Sequence, residues 1–486
     1  MAGVGFALKK LFRDKQGYLG SIKAYAVSTV VTEGPMVLTI LMLLMLRGLL
    51  QAFKATYREE EIFLFTFTYI LIFSLIFSNA VLMFINRYIS DCIYQEQIDR
   101  IIPTFYGVVF FLVLIGGGAA FIYLLLLPVT MIYRVVVLTS FCIMLIIWVQ
   151  VAFLSAVKQY AKVLTGFFAG VITTTLTAMI LMYVNWNPLM SALVAGMFGF
   201  FVMAVMFMQE MLGCYPSGTF NLFQFFPALD EYKILILTGT SMALGLFAHN
   251  FVVWTSSYHE AVFDLGVFCS RYDVPVFFAT LTITPMLVQF VVSLEVNFYE
   301  KYREYFDAVL YGGTLKDIQA AKKSMTRVLL REIAEMMEIQ LFVTIICAVF
   351  LGAALDNIGF TAEMTGIFRI LCFGYCMYGL AKSLIILLLY FDDRTGACIS
   401  SVIFLISSTV LTAVTLKFGA SFWGAGFFAG AVCTAVYTLV RLLKDLKRLE
   451  YLIFCKQPLF AQPAKGIFTR IEEVANQGRG KENQRS

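Results

Sequence analysis

The chain has 486 residues, of which 60% are hydrophobic and 14% charged, and it carries a net charge of +5. That apolar share lies well above the composition of soluble domains, so the sequence describes an all-α integral membrane protein. Two histidines are too few for a His-based metal centre or hydrolytic triad, and the ten cysteines are scattered singly rather than set out as a disulfide framework.

A membrane span needs about 20 mostly apolar residues. By that rule the sequence predicts about twelve, near 23–48, 62–86, 103–127, 134–157, 163–184, 188–208, 234–256, 275–298, 338–355, 364–390, 397–416 and 422–443. The first follows a basic stretch, is too long for a signal-peptide core and closes on no cleavage site, so it is expected to be a retained helix. It also contains "VVTEGPMVLTI", in which Glu33 is costly in hydrocarbon and Gly34 and Pro35 both disturb a helix. Gly116, Gly117 and Gly118 fall inside the third span, where small residues let helices approach closely.

Lysine and arginine set the expected orientation. With a cytoplasmic N-terminus, and span ends counted with the segments they adjoin, 28 of the 36 fall inside, six fall outside, and Arg369 and Lys382 lie within a span. Both termini are therefore expected in the cytoplasm, and the net charge reflects this bias rather than a nucleic-acid partner. The expected organisation is a cytoplasmic N-terminus (1–22), a six-helix bundle (23–208), a cytoplasmic linker (209–233), a second six-helix bundle (234–443) and a cytoplasmic tail (444–486).

The second bundle carries a charged loop, 299–337, in which Ile318, Met325, Val328, Leu329, Ile333 and Met336 recur at helical spacing. Two readings fit: a helix lying on the membrane, or a docking surface for a cytoplasmic partner. On the second reading Val328 and Ile333 supply apolar contact, and Lys322, Lys323, Arg327 and Arg331 supply charge. An internal repeat is visible at an offset of 230 residues, which pairs Tyr160, Thr165 and Gly166 with Tyr390, Thr395 and Gly396, and Ala195-Gly196 with Ala425-Gly426.

Several residues do not suit lipid. They are Glu33 and Pro35 in the first span, His249 and Asn250 with Trp254 in the seventh, Pro285 and Glu295 in the eighth, and Arg369 and Lys382 in the tenth. Intramembrane ionisable groups and broken backbone are tolerated where protein or a wet cavity surrounds them, so these residues are expected to mark a transport passage. No phosphate loop, HExxH helix or nucleotide-sugar motif is present, and neither enzyme activity nor a cofactor or metal is expected.

The segments "MAGVGFALKKLF", "TEGPMVL", "NRYISDCIY", "RYDVPVFFATLTITP", "FYEKYREYFDAVLYGGTLKDI", "YFDDR" and "YLIFCKQP" together resemble the PelG family of Pel exopolysaccharide transporters across nearly the full chain. The resemblance implies a twelve-helix member of the polysaccharide-transporter branch of the multidrug/oligosaccharidyl-lipid/polysaccharide flippases, in the inner (cytoplasmic) cell membrane. It also implies export of a GalNAc-rich polymer, a PelF-like cytoplasmic glycosyltransferase using UDP-GalNAc as partner, and PelD-like and PelE-like membrane subunits. It brings no set of catalytic residues. Two other functions fit the residues: an ion-coupled small-molecule antiporter of the same superfamily, and a non-transporting scaffold for the polysaccharide synthase.

Overall fold

The computed structural model describes residues 38–157, 159–216, 223–263, 265–355, 360–455 and 466–470. Glu33 and Pro35 lie outside the described residues, as does the side chain of Glu295. The described chain is almost wholly helical, and eleven of its helices are long and apolar enough to cross a membrane. A shorter apolar helix, α1 (Leu38–Ala52), falls on the first predicted span. The others are α2 (Tyr57–Tyr94), α3 (Ile98–Leu126), α4 (Met131–Ala156), α5 (Tyr160–Tyr183), α6 (Pro188–Cys214) and α7 (Lys233–Trp254). After a two-stranded hairpin, β1 (Glu260–Phe263) and β2 (Gly266–Phe268), comes α8 (Ser270–Val292). The amphipathic helix α9 (Tyr299–Leu310) then precedes α10 (Leu315–Leu351), α11 (Ala362–Tyr390), α12 (Arg394–Phe418) and α13 (Ala420–Lys447).

The short connections supply their own helix starts. Thr56 with Glu59 and Thr314 with Asp317 form capping boxes at α2 and α10, Thr130 and Thr361 cap α4 and α11, and Asn187 followed by Pro188 opens α6. Each side-chain oxygen accepts from an amide that the first turn leaves without an intrahelical partner, which matters more where little water is at hand.

Chain contacts define two units. One comprises residues 38–247, the hairpin 259–268 and residues 466–470; the other comprises 248–258 and 269–455, all within the described residues. The boundary falls inside α7, between Phe247 and Ala248. In the first unit α5 and α6 make the closest pair. A Cβ on Gly199 would stand 1.8 Å from Thr174 Oγ1, and one on Gly170 would stand 2.1 Å from Met203. The hairpin packs Val262 and Phe268 on Phe65 of α2, and Tyr69 donates to the Val267 carbonyl at 2.8 Å. In the second unit α12 and α13 play the matching part, since a Cβ on Gly426 would meet the Thr412 backbone at 2.3 Å. Dispersion at such close approach, rather than hydrophobic transfer, holds helices together where the surroundings are lipid.

A pair of ionic clasps is related by a shift one residue longer than the offset of 230 read from the sequence. Lys162 donates to Glu210 at 2.9 Å across α5 and α6, and Arg441 of α13 donates to Asp393, the N-cap of α12, at 2.8 Å. Both pairs are 48 residues apart, a shift of 231 carries one onto the other, and their charges are exchanged.

The 299–337 segment is a helical hairpin, α9 and α10, and α10 begins 23 residues before the span predicted at 338. The apolar stripe keeps helical period from Ile318 into the span, so the helix has no reason to stop where its other face loses charge. At about 1.5 Å per residue α10 is about 55 Å long, longer than the ~30 Å hydrocarbon core.

Candidate functional site: a broken span and a buried polar network

Helix α8 is interrupted at mid-length. Pro285 has no amide hydrogen, so the first half ends at Leu281 and the second restarts at Thr284 with Pro285 in its opening turn. The freed backbone is satisfied from a neighbour: Gln340 of α10, fully buried, donates through Nε2 to the Thr282 carbonyl at 2.8 Å. The Thr282 hydroxyl donates back to the Ala279 carbonyl at 2.7 Å. Just beyond α8, Ser293–Phe298 form a π-helix, as do Val113–Gly117 in α3 and Cys347–Leu351 in α10. Such segments leave carbonyls free for other donors, and Arg369 Nε donates to one of them, Ala348, at 3.1 Å.

Toward the start of α8 lies a network of buried polar side chains within the second unit. Asp273, 6% exposed, accepts from Asn250 Nδ2 at 2.7 Å, Trp254 Nε1 at 2.8 Å and the Cys269 amide at 3.0 Å. Its neighbour Tyr272 shares a 2.8 Å hydrogen bond between its hydroxyl and His249 Nδ1. His249, Asn250 and Trp254 come from the end of α7 and are all buried. Phe427 lies 4.3 Å from the His249 ring, and Tyr375 lies 5.0 Å from Phe427. The carboxylate sits in the first turn of α8, where free amides and the helix dipole favour negative charge. Asp273 therefore joins two spans through charge-assisted bonds in an aromatic enclosure.

Of the predicted passage residues, this network holds His249 and Asn250, and the break holds Pro285. Arg369 is exposed on α11 beside the π segment of α10, and Lys382 is half-buried on the same helix. Asp273, Tyr272 and Gln340 were not anticipated. Asp273 falls two residues outside the span predicted from 275, and hydropathy alone gives a residue there no role. The available signal was an acid in the opening turn of a helix.

On α10 the apolar stripe faces the protein itself, with Met325, Leu329 and Met336 at most 2% exposed. Val328 and Ile333 are half-buried. Lys322 is paired with Glu450, and Arg331 binds Glu335 at 2.6 Å, whereas Lys323 and Arg327 are exposed.

Residues 1–454 match the family described as "PelG: Putative exopolysaccharide Exporter (EPS-E)". The chain belongs to the PelG family. No curated protein matches it. Among solved structures, the fold resembles an outward-facing multidrug resistance MATE family transporter of the MOP superfamily, with a TM-score of 0.63 at 13% identity over 88% of this chain and 96% of that one. A MOP superfamily transporter from Pyrococcus furiosus, described by the reverse polarity of its binding pocket, gives a TM-score of 0.61 at 13% identity over 88% of this chain and 96% of that one. An inward-facing MATE family transporter gives 0.57 at 11% identity over 84% and 95%. At these identities the likeness is one of fold. Family and fold together describe a multi-pass membrane transporter of an exopolysaccharide export system.

Proposed function

We propose that this chain moves a GalNAc-rich, Pel-type exopolysaccharide across the cytoplasmic membrane as a PelF-like glycosyltransferase makes it, alongside PelD-like and PelE-like subunits. The observation that carries this reading is the family match over residues 1–454. Two six-helix bundles with cytoplasmic termini form the machine. Glu33, Pro35, His249, Asn250, Pro285, Glu295, Arg369 and Lys382 belong to its passage, with the buried tie from Asn250 to Asp273 holding α7 against the start of α8. An acid at mid-membrane costs about 2.5–3.5 kcal/mol, so a merely structural first helix would gain stability by losing Glu33. The test is secreted polymer measured in cells carrying Glu33→Gln or Pro35→Ala. Expression and complex assembly are expected to survive while export falls. Undiminished export together with raised stability for Glu33→Gln would remove that residue from the passage.

The same reading makes the α9–α10 hairpin the docking element for the glycosyltransferase. Val328 and Ile333 are half-buried, so the better apolar contacts are at the tip, where Leu310, Tyr311 and Leu315 are 72%, 83% and 68% exposed. Exposed apolar groups gathered at one tip are a signature of an interface. Changing Tyr311 and Leu315 to aspartate is expected to abolish co-purification of the glycosyltransferase without lowering the amount of this protein in the membrane. Intact co-purification would place the partner elsewhere.

A further inference from the structure

The opening turns of α10 and the closing turns of α13 enclose an open groove of about 710 Å³. Four cations line it, Lys322, Lys323, Arg327 and Lys447, against a single anion, Glu450. Lys322 donates to the Glu450 carboxylate and, at 3.0 Å, to the Lys447 carbonyl. Burial pushes the Glu450 carboxyl up, but the Lys322 ammonium and a backbone amide together outweigh it and hold the group below its ordinary range. That pair is therefore closed on itself. Lys323, Arg327 and the Lys447 ammonium are left exposed on the same groove, with no carboxylate bound to them among the described residues.

We propose that this groove binds the phosphate of an acidic membrane lipid. Three like charges held around one opening repel each other and are relieved by a bound anion, and an arginine fork suits phosphate oxygens. The rest of the lining selects a lipid over a soluble anion. Leu330, Leu443 and Leu446 line the groove, and a soluble ion would leave them wet. The groove also lies where the apolar run of α13 gives way to Lys444 and Lys447, the level at which headgroups meet the ends of spans. A bound lipid braces the base of the α9–α10 hairpin against α13. This assignment does not depend on what the protein exports.

The test uses the purified full-length protein in detergent, titrated with phosphatidylglycerol or phosphatidylcholine and read by native mass spectrometry. Phosphatidylglycerol is expected to be retained in preference. The pair Lys323→Gln with Arg327→Gln is expected to weaken it about twenty-five-fold, each cation beside an anionic headgroup being worth a factor near five, with phosphatidylcholine binding and melting temperature unchanged. The charge-keeping pair Lys323→Arg with Arg327→Lys should retain the lipid, and Lys417→Gln, at the far end of α12, should have no effect. Unaltered phosphatidylglycerol affinity in the double glutamine variant overturns the site. Complete displacement of the lipid by an equal concentration of inorganic phosphate overturns the lipid as its occupant.

Discussion

Asp273 is the residue on which the buried network turns, because one carboxylate accepts from two side chains of α7 and from the start of its own helix. Asn at this position keeps the shape but presents an NH2 group to one of the three donors. Asp273→Asn is therefore expected to cost about 2 kcal/mol, the scale of a buried bond to a charged partner, read as a fall in melting temperature in detergent. An unchanged melting temperature would mean that Asn250 and Trp254 draw little from the carboxylate. Gln340 has a different part to play, since it satisfies the Thr282 carbonyl left free at the break in α8. Gln340→Leu preserves bulk and leaves the Thr282 carbonyl without that donor, at a cost of about 1–3 kcal/mol. Restoring the helix with Pro285→Ala in the same chain should recover part of the loss, and failure to do so would separate the two residues.

At the level of whole helices, the clasps at α5–α6 and α12–α13 share spacing but not environment. The Lys162 and Glu210 side chains are 49% and 35% exposed, whereas Asp393 is 5% exposed beside Arg441 at 34%. Exposed pairs contribute at most about 1 kcal/mol, so Lys162→Gln should hardly move the melting temperature. Arg441→Gln strands a buried carboxylate and should cost about 2 kcal/mol, discounted from the larger cost of a fully buried pair because Arg441 is partly wet. Exchanging the charges of Lys162 and Glu210 is expected to be tolerated. The same exchange at Asp393 and Arg441 should fail, because Asp393 also accepts from the Gly396 amide at 3.0 Å and caps α12. Equal tolerance at both clasps would show that capping contributes nothing there.

For the whole molecule, orientation in the membrane has a direct measurement. Tyr57 is 78% exposed at the start of α2, and Ala320 is exposed near the start of α10. In intact cells, a membrane-impermeant thiol reagent should label Tyr57→Cys and reach Ala320→Cys only after the membrane is opened. Position 268, which also lies on a loop predicted to face outward, is a poor reporter because Phe268 is 1% exposed on the packed face of the hairpin. The reverse labelling pattern would place the α9–α10 hairpin and the basic groove on the outer face, and with them the proposed docking of a cytoplasmic enzyme would fall.

The sequence by itself determined the class, the run of spans and the family. Each of these rests on properties that are local or ordered along the chain: a bilayer demands an unbroken apolar stretch, and loop charge follows that stretch directly. The family was legible because most of its motifs lie in or beside the polar stretches between spans, where apolar composition does not blur them. Pro285 was legible as a break for a similarly local reason, since a missing amide hydrogen acts on its own helix. Which groups meet across helices was decided only by the tertiary structure. Asn250 lies 23 residues from Asp273, Thr282 lies 58 from Gln340, and Lys322 lies 128 from Glu450. Those pairs depend on the rotation and depth at which two helices pack, which composition does not encode. The reach of α10 was hidden for a related reason: charge on one face lowers a hydropathy average, while the buried face keeps its period and holds the helix together.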